Sequence, residues 1–183
     1  MGAAESRAGK VRLFLVVLGG RTAGCTIELH DVRFVVAASI DGAIPLLRRQ
    51  WFGRRRGLHI DSYIAVEFVD GYRVELRQEP FAGPERLWFV NMGAYDPQQL
   101  AELHQFTLTV AASAPSAKAR ARQRLLLGAV DRHKDDLHDV DDCLRLELLQ
   151  GWHLHLTLDP ERRSQPLVPD WFGYRLIDRD PEP

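Results

Sequence analysis

Glu28-Leu29-His30, followed by Arg33-Phe34-Val35-Val36-Ala37-Ala38-Ser39, returns later in the chain as Glu102-Leu103-His104 and Thr107-Leu108-Thr109-Val110-Ala111-Ala112-Ser113. The shift is a constant 74 residues. Aligned without a gap, residues 12–49 and 86–123 are identical at thirteen of 38 positions, from Arg12 and Leu13 to Ala43 and Arg48. Unrelated segments of ordinary composition would share about two or three. After a six-residue insertion the match resumes, with His59-Ile60-Asp61-Ser62 facing Asp139-Val140-Asp141-Asp142 and Gly71 facing Gly151. A duplication of this length means two copies of one supersecondary unit.

Each copy reads as strand, strand, helix, hairpin. Residues 11–18 are apolar on both alternating faces, as in a strand covered on both sides. A second strand follows at about 32–38, and Ser39 and Ser113 stand where an N-cap hydroxyl would meet free helix amides. Gly42 and Pro45 predict that the first helix starts late or kinks, whereas Ala117 to Leu127 is a better helix former. For the hairpins, a three-residue loop Val69-Asp70-Gly71 would set Phe68 against Tyr72, Val66 against Val74 and Ile64 against Leu76, all on one apolar face. A two-residue turn would set Phe68 against Arg73. The second copy would pair Leu148 with Trp152, Leu146 with Leu154 and Leu144 with Leu156.

The expectation is an α+β fold of two tandem ββαββ repeats related by pseudo-twofold symmetry, with antiparallel hairpins and helices packed on sheet faces. Its parts are a disordered extension (1–10), a first repeat (11–79), a linker (80–85), a second repeat (86–158) and a C-terminal extension (159–183). The last contains the apolar patch Trp171 to Ile177, which should pack back as an edge strand.

Composition narrows the function classes. The chain has 183 residues, 45% hydrophobic and 27% charged, with a formal net charge of −1. It reads as globular and creates no general attraction for nucleic acid or acidic membranes. Cys25 and Cys143 allow at most one disulfide, which favours a reducing, cytoplasmic setting. The apolar run Leu13 to Leu18 is too short for a leader, and it recurs internally as Leu87 to Met92. No apolar segment approaches the length of a membrane span.

The duplicated polar residues are the candidates for chemistry. Glu28 and His30 are two apart, so an extended chain points both to one face, and His59 and Asp61 share that spacing. Four such groups converging would make a metal site or an acid–base pair. The counterparts Glu102, His104, Asp139 and Asp141 are richer in oxygen and closer to what magnesium or calcium prefers. The competing reading is structural, with these side chains capping loop amides. Gly19-Gly20-Arg21 could let loop amides approach an anion, but a tight strand exit explains it more simply. Arg48, Arg49, Arg54, Arg55 and Arg56 surround Trp51 and Phe52, and Lys118, Arg120, Arg122 and Arg124 line the second helix. Either could be a phosphate or nucleic-acid surface, although a solvated face is favoured.

Several motifs occur in order: Leu18-Gly19-Gly20-Arg21, Ile27-Glu28-Leu29-His30-Asp31, Gln50-Trp51-Phe52-Gly53, His59-Ile60-Asp61-Ser62-Tyr63, Val69-Asp70-Gly71-Tyr72 and Val90-Asn91-Met92-Gly93. Across about residues 11–158 the chain resembles the bacterial domain-of-unknown-function family 1543, whose members carry one or two copies of the unit. The resemblance implies a tandem bacterial protein and brings no activity or cofactor with it. The second copy departs from the first at Asp139 for His59 and at Ala94-Tyr95 for Gly20-Arg21.

The favoured function is a non-catalytic module binding a small ligand or protein partner, compatible with a homo-oligomer. A metal-dependent, hydrolase-like enzyme using Glu28, His30, His59 and Asp61 is the first alternative. A nucleic-acid binder using the Arg48–Arg56 run is the second.

Overall fold

A computed structural model describes residues 10–95, 98–125, 131–132 and 143–179. The first copy of the repeat supplies β1 (Arg12–Gly20), β2 (Leu29–Ala37), α1 (Ile40–Gln50), β3 (His59–Ala65), β4 (Phe68–Val69) and β5 (Tyr72–Arg77). The second supplies β6 (Arg86–Tyr95), β7 (Leu103–Ala111), α2 (Ala114–Arg124), β8 (Asp131–Arg132), β9 (Cys143–Leu146), β10 (Leu148–Leu149) and β11 (Trp152–Leu158). The tail adds β12 (Trp171–Leu176). This is an α+β chain of mostly antiparallel strands with a repeated domain. The last part of each repeat is a broken strand plus a hairpin rather than two continuous strands.

Two compact units result, one within Met1–Glu67 and Pro166–Pro183, the other within Phe68–Gln165. These are not the sequence repeats, because β4 and β5 of the first copy belong to the second unit.

In the first unit the sheet order is β12-β3-β1-β2, with every pairing antiparallel. Phe14, Val16 and Leu18 of β1 pack in one core with Ile40, Ala43 and Leu47 of α1. Burying each large aliphatic or aromatic side chain contributes about 1.5–3 kcal/mol relative to exposure. The Ser39 hydroxyl accepts from the Gly42 amide at 3.2 Å, capping α1. The helix therefore begins at Ile40 and carries Pro45 inside it, rather than starting late. The tail completes this unit. Asp170 accepts from the Ala65 amide at 2.7 Å, Asp178 from the Gly57 amide at 3.0 Å, and Ile177 is buried in the core.

In the second unit β6 pairs with β7, β8 and β9, and α2 packs Ala117 and Ala121 against Trp88 and Val90. A second sheet runs β10-β11-β5-β4. The hairpin register differs from the expectation. Phe68 faces Arg73 and Val69 faces Tyr72, so Asp70-Gly71 is a two-residue turn. Leu148 likewise faces His153 around Gln150-Gly151. Both turns have positive φ at both central residues (52° and 83°, 49° and 81°), the type I′ form whose twist matches that of paired strands.

The apolar partners were also misassigned, because the strand breaks at residues 66–67. Leu76 and Val74 pair with Leu154 and Leu156 of β11, while Leu144 and Leu146 pair with Phe89 and Leu87 of β6. Phe68 beside Arg73 does not spoil an apolar face. The guanidinium of Arg73 lies 5.5 Å from the Phe68 ring centre and that of Arg163 lies 4.1 Å from it.

Residues 159–165 wrap this turn. Gly71 donates to Arg163 O at 3.0 Å, and Gln165 donates to Phe68 O at 3.1 Å. The buried Asp159 carboxylate takes two bonds from the Arg163 guanidinium, at 2.7 and 2.9 Å, and one from its amide at 3.1 Å. Those bonds hold its carboxyl well below the usual carboxylate range, against the opposing effect of burial. Among the described residues no helix is long and apolar enough to cross a membrane.

Candidate metal centre

The site lies at the end of the first-unit sheet where β1, β2 and β3 meet. Gly19 of β1 stands between His30 of β2 and His59 of β3 in the strand register. Glu28 immediately precedes β2. Asp61 is brought in by a β-bulge: Val17 faces Ser62 and Leu18 faces Ile60, leaving Asp61 as the extra residue. The other neighbour of β3 is irregular at the same place. On β12, Phe172 faces Ser62 and Arg175 faces Ile60, so Gly173 and Tyr174 span the position of Asp61. Gly173 takes φ 152° there, a conformation side chains disfavour.

The four side chains converge. His59 Nε2 is 3.2 Å from Glu28 Oε1 and 3.1 Å from Asp61 Oδ1. His30 Nε2 is 3.5 Å from Glu28 Oε1 and 3.3 Å from Asp61 Oδ2. The donor atoms of Glu28, His30 and His59 all lie within 4.8 Å of one another. His59 forms the buried back wall at 1% exposure, and His30 is on the solvent side with its side chain 54% exposed.

His59 is oriented from behind. Its Nδ1 lies 2.8 Å from Gly57 O, a carbonyl that can only accept, so Nδ1 donates to it and Nε2 is turned toward the carboxylates. A backbone carbonyl holding the far nitrogen is the usual support for a metal-ligating imidazole. Asp61 Oδ2 is buried and makes no hydrogen bond among the described residues, with His30 Nε2 3.3 Å away.

The glycines make room for this arrangement. A Cβ on Gly19 would stand 2.3 Å from His59 Nε2 and 3.0 Å from Asp61 Oδ2, and one on Gly20 would stand 2.8 Å from the Trp51 ring. Arg21 is exposed, and its carbonyl accepts from the Arg54 amide at 2.6 Å. In the second copy Glu102 and His104 lie 3.5 Å apart, and Asn91 Nδ2 is 3.4 Å from His104 Nδ1. Their expected companions Asp139 and Asp141 fall outside the described residues.

Tyr174 escaped the sequence reading. Its ring lies over that of His59, centroids 4.0 Å apart. The glycine within the apolar patch 171–177 was the available signal, because glycine inside a strand often marks a bulge.

Most of the basic run is exposed. Arg49, Arg54, Arg55 and Arg56 are exposed, Arg48 is half-buried and donates to Ile177 O, and Trp51 is buried at 7% rather than offered for stacking.

Among solved structures the chain is similar to a protein Il1583 from Idiomarina loihiensis, at 40% identity and a TM-score of 0.70. The match covers 91% of this chain and 97% of that one. A comparison with curated proteins gives no match. The Domain of Unknown Function (DUF1543) pattern matches twice, at residues 25–76 and 99–150. The chain therefore belongs to the DUF1543 family, as a member with two tandem copies of the domain.

Proposed function

We propose that the protein is a divalent-metal-binding module in which Glu28, His30, His59 and Asp61 hold one ion and leave a coordination position open to a small ligand. The observation that carries this reading is the buried Nε2 of His59, 3.1–3.2 Å from two carboxylate oxygens, with Nδ1 committed to Gly57 O. Ligands about 2.1 Å from a tetrahedral ion are about 3.4 Å apart. The four imidazole–carboxylate contacts here run from 3.1 to 3.5 Å, with Asp61 engaged through both of its oxygens; Glu28, His30 and His59 form the tighter set. Two imidazoles with two carboxylates suit zinc and other first-row divalent ions better than calcium. Exposure of His30 leaves one side open to solvent.

An imidazolium at His59 shared between the carboxylates is the competing arrangement. It accounts for Glu28 Oε1 and Asp61 Oδ1, while the buried Asp61 Oδ2 has no hydrogen bond among the described residues and a 3.3 Å contact with His30 Nε2. A cation would engage that oxygen directly.

The test is calorimetric titration of tag-free, chelator-treated protein with zinc. We expect about one equivalent bound at this site, weakened at least about tenfold by Glu28→Gln or His30→Ala, as removal of a ligand requires. Heats that do not saturate, or that neither substitution changes, overturn the reading. A hydrolase-like activity would need the same ion. A cytoplasmic setting accompanies this proposal.

A further inference from the structure

A concavity of about 500 Å³ opens in the second unit, lined by Asp70, Gly71, Arg120, Arg124, Arg162 and Ser164. Three guanidinium groups and one carboxylate give that lining a formal surplus of two positive charges. The carboxylate is already committed. Asp70 Oδ2 accepts from Thr109 Oγ1 at 2.7 Å and from the Val110 amide at 2.9 Å, and Oδ1 accepts from Arg124 at 2.7 Å. Its side chain is 8% exposed, and its closest ion pair is with Arg124, with Arg120 further off at 3.9 Å.

The other two cations also line the concavity, and neither has a carboxylate as close as that of Arg124. Arg120 donates to a neutral acceptor, Val110 O, and is 3.9 Å from Asp70 Oδ2. The Arg162 guanidinium makes no hydrogen bond or ion pair among the described residues, and its stem lies against Gly71. Arg162 also holds φ 54°, a left-handed backbone that costs free energy outside glycine, and its backbone N–H donates to Asp159 O at 2.9 Å. Ser164 Oγ accepts from the Asp70 amide at 3.2 Å, which leaves the hydroxyl proton free to donate.

We propose that this concavity binds the phosphate group of a small phosphorylated molecule. Arg120 and Arg162 supply the charge, Arg124 is positioned by Asp70, and Ser164 donates from the rim. The planar fork of a guanidinium matches two oxygens of a phosphate, which makes arginine the fitting residue here. The volume is in the range of small-ligand sites, about 300–1,000 Å³, and exceeds what phosphate alone would fill. None of these residues belongs to the metal centre, so the two proposals stand or fall separately.

The test is calorimetric titration of the full metal-free chain with inorganic phosphate and with pyrophosphate, beside Arg162→Glu. That substitution removes no described side-chain hydrogen bond or ion pair, and an unchanged melting temperature checks that the fold survives. We expect one saturable equivalent, tighter for pyrophosphate, and weakened at least about tenfold in Arg162→Glu. Absence of saturation, or binding that Arg162→Glu does not change, overturns the proposal. So does a single-stranded oligonucleotide binding more tightly than pyrophosphate, because that would mark a strand-binding surface.

Discussion

Tyr174 lies over His59, with ring centroids 4.0 Å apart and planes 34° from parallel, although the two residues are far apart in the chain. The contact joins the tail strand to the buried wall of the candidate metal centre. Removing the ring by Tyr174→Ala should cost about 0.5–1.5 kcal/mol beyond the area it buries. Tyr174→Phe should retain nearly all of that stability, because the stacking resides in the ring. Urea denaturation of the three proteins checks this, and a Phe variant as weak as the Ala variant would show that the hydroxyl carries the contact.

Gly19 touches the site through the side chain it lacks. Gly19→Ala would press a methyl group to within 2.3 Å of the buried His59 Nε2, so the ring must move. The expected loss is about 1–3 kcal/mol of stability, the range for overpacking a filled site. Zinc affinity should fall with it. Gly24→Ala is the comparison: its Cβ meets nothing within 4 Å, and its φ of 79° charges only the backbone. That variant should melt lower yet bind zinc as the parent does.

Asp70 ties the β4–β5 turn to β7 and α2 through bonds to Thr109, Val110 and Arg124. Thr109 and Val110 are fully buried, so Asp70→Ala strands polar groups that water cannot reach. A loss of about 1–3 kcal/mol follows. Asp70→Asn keeps an acceptor and a residue tolerant of the left-handed turn, so it should lose less. Equal losses in both variants would assign the effect to charge alone.

Asp159 sets an acid limb to stability. Its hydrogen bonds with Arg163 depress the folded carboxyl below the unfolded value of 3.8. A depressed carboxyl stabilises the fold in full above the unfolded value, and the contribution fades as pH falls toward the folded one. Denaturation curves of the parent and Asp159→Asn should therefore differ most above pH 4 and converge in stronger acid. A difference independent of pH would remove the ionic origin.

The duplication was legible because identical residues return at a fixed spacing, which singled out Glu28 and His30; His59 and Asp61 became candidates through their own two-residue spacing, since His59 returns as Asp139 after the insertion. Residues two apart on a strand share a face, so each pair could be placed locally. Bringing the pairs together needed β2 and β3 to flank the same β1 residue, which no local pattern states. The hairpin register was misread for a related reason. The alternation from Ile64 to Phe68 looked continuous, yet β3 pairs with β1 while β4 pairs with β5. Phe68 beside Arg73 is accommodated because the guanidinium offers a flat face to the ring. Tyr174 was out of reach because its contact depends on an irregularity shared with β3.

The most direct measurement is an anomalous difference map at the zinc edge from crystals of the zinc-loaded protein. The account predicts one peak bonded to Nε2 of His30 and of His59 and to carboxylate oxygens of Glu28 and Asp61, with bonds of about 2.0–2.2 Å. A fully loaded crystal with no peak among these four residues, or with zinc held elsewhere, would contradict it.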